Sequence, residues 1–273
     1  MKRQSIRSAI LVVSLLLFPL TQFYFSPYLI VDGAIAGIVA GSAIVFAAQF
    51  LGALFVGRAF CGWIMPCGGL QEACFAANRR PVPGGRLDWI KWFLWIPWIS
   101  SVIYLFVRAG GVADIDPFRK MHHGISVAQP WQYWIFYGVT AVFVVLAFSV
   151  GRRAACHYLC WMSPFMIVAR FLRNRLRLPA LQLTATGVRC TQCDRCSMQC
   201  PMSLNVKAML LTGELDSHEC ILCASCVDAC KKGVLRLSFG RPLNPRRGHA
   251  EKPNYTERHK YLRIVSGCVL LWP

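Results

Sequence analysis

Apolar positions fill the first 150 residues in long runs with few interruptions. Between Ser8 and Gly57 the only charged residue is Asp32, and Asp32 with Gly33 divides the stretch into two segments. Each is near the roughly 20 apolar residues that a helix needs to cross a bilayer. A second pair of runs begins near Trp89, passes through Phe93 to Val107, pauses over a polar loop from Arg108 to Pro130 and returns from Trp131 to Gly151. The pattern predicts four transmembrane helices arranged as two hairpins. Trp89, Trp92, Trp95, Trp98, Trp131 and Trp134 fall where interfacial aromatics sit, with core packing as the competing reading. From Trp161 to Leu178 apolar residues are mixed with Arg170, Arg173, Arg175 and Arg177, which predicts an amphipathic helix lying at the membrane interface.

After Pro179 the composition turns polar. The expected division is therefore a membrane part over residues 1–178, a compact soluble module over 179–239, and a basic tail over 240–273. The apolar end of that tail, Tyr261 to Pro273, is too short to span.

Composition agrees with a membrane protein: 56% of residues are hydrophobic and only 15% are charged. Thirty Lys and Arg against twelve Asp and Glu give a formal +18, a balance that suits the inner face of an anionic membrane. Lys2, Arg3, Arg7, Arg58, Arg79, Arg80, Arg86, Lys91, Arg152 and Arg153 fall on one side of the expected helices; Arg108, Arg119 and Lys120 fall on the other. The first side is then cytoplasmic, with both termini and the soluble module on the cytoplasmic side of a multi-pass bacterial inner membrane protein. The basic amino terminus looks superficially like a signal peptide, but no small-residue cleavage site follows it and a second apolar run does. Nucleic acid is not expected as a partner, because there is no helix-turn-helix pattern, RNA-binding aromatic signature or isolated basic stripe.

Cysteine spacing carries the chemistry. Cys190-x2-Cys193-x2-Cys196-x3-Cys200-Pro201 is repeated as Cys220-x2-Cys223-x2-Cys226-x3-Cys230. Three thiolates on one tight loop cap three irons of a cubane, and the fourth cysteine of each run crosses to the other cluster. The expected ligand sets are Cys190, Cys193, Cys196 and Cys230 for cluster one, and Cys220, Cys223, Cys226 and Cys200 for cluster two. Zinc knuckles compete, but zinc takes paired CxxC motifs without a third intervening cysteine. The module resembles the bacterial two-cluster ferredoxins over about fifty residues. Lys231 follows Cys230 where that family usually has Pro; a cation there would raise the potential of the nearby cluster, or else is a solvated lysine with no redox role.

Two further cysteine boxes follow the inner ends of the expected second and fourth helices. Gly57-Arg58-Ala59-Phe60-Cys61-Gly62-Trp63 leads to Met65, Pro66 and Cys67; Gly151-Arg152-Arg153-Ala154-Ala155-Cys156-His157-Tyr158 leads to Cys160, Trp161 and Pro164. Their likeness suggests a duplicated hairpin with a pseudo-two-fold axis along the membrane normal. With these boxes the chain resembles, over nearly its full length, the NapH family and related polyferredoxin-like membrane proteins. These have four helices, two Cys-x3-Cys-Pro boxes and a carboxy-terminal two-cluster domain. Met65 stands at the second cysteine position of the first box, and Trp161 follows Cys160 where Pro would stand. If the boxes meet, Cys61, Cys67, Cys156 and Cys160 supply thiolates for a third iron-sulfur cluster, with Cys74 as a spare. The alternative is small buried residues packing between helices.

The expected fold class is thus an α-helical membrane protein with a carboxy-terminal α+β two-[4Fe-4S] ferredoxin-type domain. The resemblance implies a subunit of a quinol dehydrogenase rather than a self-sufficient enzyme. It would link the quinone pool, menaquinol or ubiquinol, with a partner redox protein. A membrane tether and relay, or an electron donor in maturation of a metalloenzyme, needs the same residues. His157 would be a hydrogen-bonded structural group, or else a ligand for metal or quinone. His122 and His123, on the outer loop with Asp114, Asp116 and Lys120, would exchange protons with a quinol or simply be solvated. No haem-attachment, Rossmann or Walker pattern occurs.

Overall fold

The first apolar segment is bent. In the computed structural model, which describes residues 2–82 and 84–241, α1 (Lys2–Leu16) is followed by α2 (Phe18–Thr21) and a 3-10 turn at Gln22–Phe25, with an angle of 63° between the two parts. Pro19 lies in the first turn of α2, where its missing N–H is tolerated, and it keeps α1 from continuing straight. Next come α3 (Pro27–Ala36), β1 (Ile38–Ala40) and α4 (Gly41–Val56). The expected break at Asp32–Gly33 lies inside α3; the chain reverses instead at Gly37, whose φ of 69° is left-handed. Asp32 accepts from Arg119 Nε at 2.8 Å and pairs with Lys120, so it ties α3 to the outer loop rather than forming a turn. In that loop β2 (Asp114–Asp116) runs parallel to β1, with Ile38 opposite Asp114.

Two short helices, α5 (Ala59–Trp63) and α6 (Pro66–Ala73), carry the first cysteine box. The long helices are α7 (Ile90–Arg108) and α8 (Pro130–Ser149). Leu87–Arg108, which includes the turn before α7, and Pro130–Ser149 are long and apolar enough to cross a membrane; only 11% and 17% of their most apolar windows are buried. Phe93, Val107 and Trp134 on them are 75%, 72% and 81% exposed, a surface that hydrocarbon suits and water does not. The α1–Phe25 pair would be a third, broken span. The remaining apolar helices are shorter: α3 and α4 have 10 and 16 residues, about 15 and 24 Å at 1.5 Å per residue against a hydrocarbon core of about 30 Å.

The second box lies on α9 (Ala154–Tyr158), which leads into α10 (Met162–Leu176) packed along α4. The expected amphipathic helix is present, but only Arg175 and Arg177 of its four arginines face outward. Arg170 and Arg173 lie on its buried face with Met166 and Ala169 and pair with Asp216, while Phe171 and Leu176 are 74% and 57% exposed. A counter-charge in the soluble module, absent from any local pattern, turns the arginines inward.

The soluble module opens with β3 (Ala180–Ala185) and closes with β4 (Leu235–Gly240), paired antiparallel with Leu183 opposite Leu237. Between them lie α11 (Arg195–Met198), α12 (Val206–Thr212) and α13 (Ser225–Ala229). One apolar core joins Leu183, Met202, Val206, Leu210 and Leu235 of the module to Ala53 of α4 and Met166 and Ala169 of α10. A second fills the helical part around Phe18, Phe46, Val102 and Phe143. The basic tail expected over 240–273 lies outside the described residues beyond Arg241.

Candidate iron-sulfur site

The two cysteine runs fold into the same loop twice. Gln192 and Asp194 have φ of 55° and 61°, and Leu222 and Ala224, at the same offsets from Cys220, have φ of 50° and 62°. Alternation between left- and right-handed backbone turns successive N–H groups toward one point and makes a concavity for an anionic group. α11 and α13 begin directly after these residues and carry the third cysteine of each run, Cys196 and Cys226.

The fourth cysteines cross over. One cavity is lined by Cys220, Cys223, Cys226 and Cys200 with Leu183, Met202, Val206, Ile221 and Leu237. Another, larger and more open, is lined by Cys190, Cys193, Cys196 and Cys230 with Asp194, Arg195, Lys207, Lys231 and Lys232. The structure thus gathers both quartets expected from spacing. All thirteen described cysteines are free. Backbone N–H groups of Gln192 and Val234 donate to the Cys190 and Cys230 sulfurs at 3.4 Å. Burial pushes the Cys200 thiol up to about 12, and Cys226 is likewise raised by burial; thiolates in this cavity need a cationic core to offset them, which an iron-sulfur cluster supplies. Cys193, by contrast, is exposed, and the Arg195 N–H holds its thiol below the usual range. Among the described residues no three His, Cys, Asp or Glu side chains converge as a single-ion site would require. The all-cysteine donor sets fit iron-sulfur clusters.

The two boxes also meet. Burial raises the thiols of Cys61, Cys67 and Cys160, the last to about 12, and charge on Cys156 adds to each. Gln71, fully buried, bridges them: Nε2 donates to Cys156 Sγ at 3.1 Å, and Oε1 accepts from Ala155 N at 3.0 Å. Cys61 Sγ lies 3.4 Å from Met166 Sδ. Met65 packs in the helical core with Cys67. Burial alone raises Cys74, which stands apart from the four. His157 uses both ring nitrogens, with Asp88 Oδ1 and Met202 O each at 3.1 Å, and so acts as a structural bridge.

Sequence reasoning missed the buried charges around these thiols. Arg58 and Arg153, at the start of the two boxes, are 1% and 0% exposed. Arg58 Nη1 donates to Glu219 Oε2 at 2.8 Å, and Lys91 pairs with the same carboxylate. Burial alone would raise Glu219, but Arg58 and Lys91 outweigh it and hold the carboxyl at about 2. Arg153 donates to Glu72 at 2.5 Å and to Cys61 O at 2.9 Å, and Arg7 reaches Glu72 at 2.7 Å. Four cations counted for membrane orientation, Arg7, Arg58, Lys91 and Arg153, are therefore ion-pair partners inside the protein. The repeated Gly-Arg ahead of each box is a sequence signal for Arg58 and Arg153 alone. Gly57 turns the chain there with φ 54°, and a Cβ on Gly62 would stand 2.4 Å from Ile221 O, beside Cys223. The first box touches the cluster-two loop through that glycine.

The cysteine loops and the cavities they line mark 4Fe-4S domains of the ferredoxin type. Residues 189–235 match the family described as "4Fe-4S dicluster domain", and residues 39–83, which span the first box, match a "4Fe-4S binding domain". The chain is similar to an uncharacterized protein of Methanocaldococcus jannaschii, 25% identical over 68% of this chain and 74% of that one. It is also similar to protein NirI of Paracoccus denitrificans, 29% identical over 67% of this chain but only 26% of that one. The putative electron transport protein YccM of Escherichia coli is 22% identical over 82% of this chain and 63% of its own. No solved structure matches. The expected likeness is met at the level of 4Fe-4S domains, with one relative named a putative electron transport protein.

Proposed function

We propose that the chain is a membrane-anchored electron relay between the quinone pool and a partner redox protein, acting as a subunit of a quinol-oxidising complex. One observation carries this reading: the box thiols lie where the two apolar cores meet. Cys67 and Cys160 pack with Phe46, Trp98 and Phe165 of the helical part, while Cys61 and Cys156 pack with Cys200, Cys223 and Cys226 of the module. Bound [4Fe-4S] clusters supply one-electron exchange, with the eight module cysteines as ligands and the four box cysteines holding a further cluster. The protein's own residues keep these sites dry and fixed, through Arg58 and Lys91 on Glu219 and through Gln71 across the boxes.

A quinone head at the membrane boundary is supported by unpartnered donors at that depth. Among the described residues Trp95 Nε1, Trp98 Nε1 and Gln49 Nε2 are buried without a hydrogen-bond acceptor, and the rings of Trp95, Trp98 and Phe46 all pack on Phe165. Buried donors without an acceptor are costly, and a quinone oxygen would accept from them. The four-span topology with cytoplasmic clusters belongs to this proposal; Phe93 and Trp134, exposed on the two long helices, support lipid contact there.

The test is anaerobic reduction of the purified chain in liposomes by a soluble quinol analogue, followed by visible bleaching and EPR. Reduction by quinol alone supports the proposal. Reduction only after a partner protein is added would leave a tether in its place.

A further inference from the structure

The two cysteine cavities of the module differ in what surrounds them. Cys200, Cys223 and Cys226 are buried, and their cavity is closed by apolar side chains. The other holds the exposed Cys193 and is rimmed by Arg195, Lys207, Lys231 and Lys232 against the single carboxylate of Asp194. Asp194 is already engaged by Lys207 at 3.7 Å. Arg195, Lys231 and Lys232 are exposed and make no ion pair among the described residues. Arg189, also exposed, adjoins Cys190, and the exposed apolar side chains Val188 and Met198 lie two residues from Cys190 and Cys196.

We propose that this mouth is the docking surface for a soluble one-electron carrier with an acidic face. The inference rests on the electron-transfer reading above. Charges in water do little for a site's internal energetics, because the high dielectric weakens each of them. Their summed field does reach beyond the surface, over a Debye length of about 8–10 Å, where it steers and orients an oppositely charged partner. Cluster two sits beside buried Arg58 and Arg170, which compensate charge from within. Lys231 and Lys232 stand at the other mouth and are exposed, where water weakens their effect on the site itself. A small, polar, salt-sensitive contact around an exposed ligand suits a transient redox encounter. The transfer moves one electron and no atom: in the direction tested below, the reduced chain loses one electron and the carrier gains it.

The experiment uses the full chain in detergent, reduced with dithionite freed of excess. The probes are the soluble domain of cytochrome b5, an acidic acceptor, and cytochrome c, a basic one. The expected result is a rate with the acidic acceptor that falls at least tenfold between 20 and 200 mM salt. In the variant Lys231→Glu/Lys232→Glu that rate falls at least tenfold, the basic acceptor becomes preferred, and calorimetric affinity for the acidic probe falls in parallel with iron content unchanged. Three results would overturn the docking surface: unchanged affinity with a shifted midpoint potential, an unchanged salt slope, or lost binding to anionic phosphatidylglycerol vesicles with carrier affinity intact. If the parent reduces neither acceptor while calorimetry still shows salt-sensitive binding, the electron-transfer reading fails and the docking surface stands.

Discussion

Gln71 donates to the sulfur of Cys156 at 3.1 Å from a position with no exposed surface. The same amide accepts from Ala155 N, so it welds the helix after the first box to the helix of the second. Replacing Gln71 with Leu leaves a buried N–H without an acceptor, which costs about 1–3 kcal/mol. The expected outcome is a lower Tm in detergent. An unchanged Tm would mean the boxes are not joined through this side chain. Where the boxes hold a cluster, its EPR signal shifts as well, because a hydrogen bond to a ligand sulfur is one determinant of potential.

The crossed ligand sets predict which cysteines act together. Cys190→Ala and Cys230→Ala should erase one and the same EPR signal, and Cys200→Ala and Cys220→Ala the other, each removing about four of about eight module irons. Membrane insertion should persist in all four, since α7 and α8 need no metal. If Cys230→Ala instead removes the signal lost in Cys220→Ala, the crossing is wrong.

Glu219 neutralises Arg58 and Lys91, both 1% exposed. Glu219→Gln leaves two buried cations without a counter-charge, a change that costs about 3–5 kcal/mol when one partner of a buried pair is removed. Because Lys91 and Arg58 belong to the helical part and Glu219 to the module, the variant should loosen docking. Faster proteolytic release of the module, relative to the parent protein, is the measurement.

Glu72 answers Arg153 and Arg7. Burial pushes its carboxyl up, but the two guanidinium groups outweigh burial and hold it below its ordinary 4.5. A carboxyl depressed on folding stabilises above its unfolded value and loses that contribution as pH falls through the folded one. Glu72→Gln should therefore be least stable relative to the parent at neutral pH, with the gap in Tm narrowing below about pH 4.5. A gap that widens on acidification would refute the assignment.

Much of the cluster chemistry was legible because its ligands are local: Cys190 through Cys200 fixes a loop by spacing alone, and Cys220 through Cys230 repeats it. The helical part was less so. Runs of apolar residues mark Leu87–Arg108 and Pro130–Ser149 well, yet the same rule hides the bend ahead of Pro19 and the short α3, in which Asp32 marks no break because it is held by Arg119 across 87 residues. Arg58, Arg153 and Lys91 look like ordinary loop cations until Glu72 and Glu219 are placed beside them. Charge counts along a chain carry no record of such distant partners.

The pairing of β3 with β4 has a consequence for biosynthesis. These strands are the first and last elements of the module, so the module cannot close until Gly240 has been made. At about 5–20 residues per second, the 50 residues from Ala185 to Leu235 take a few seconds to about ten seconds. The first cysteine loop is made early in that interval and the second only at its end, so the Cys200 set is complete no sooner than Cys226 and the Cys190 set no sooner than Cys230, just before β4 closes the module.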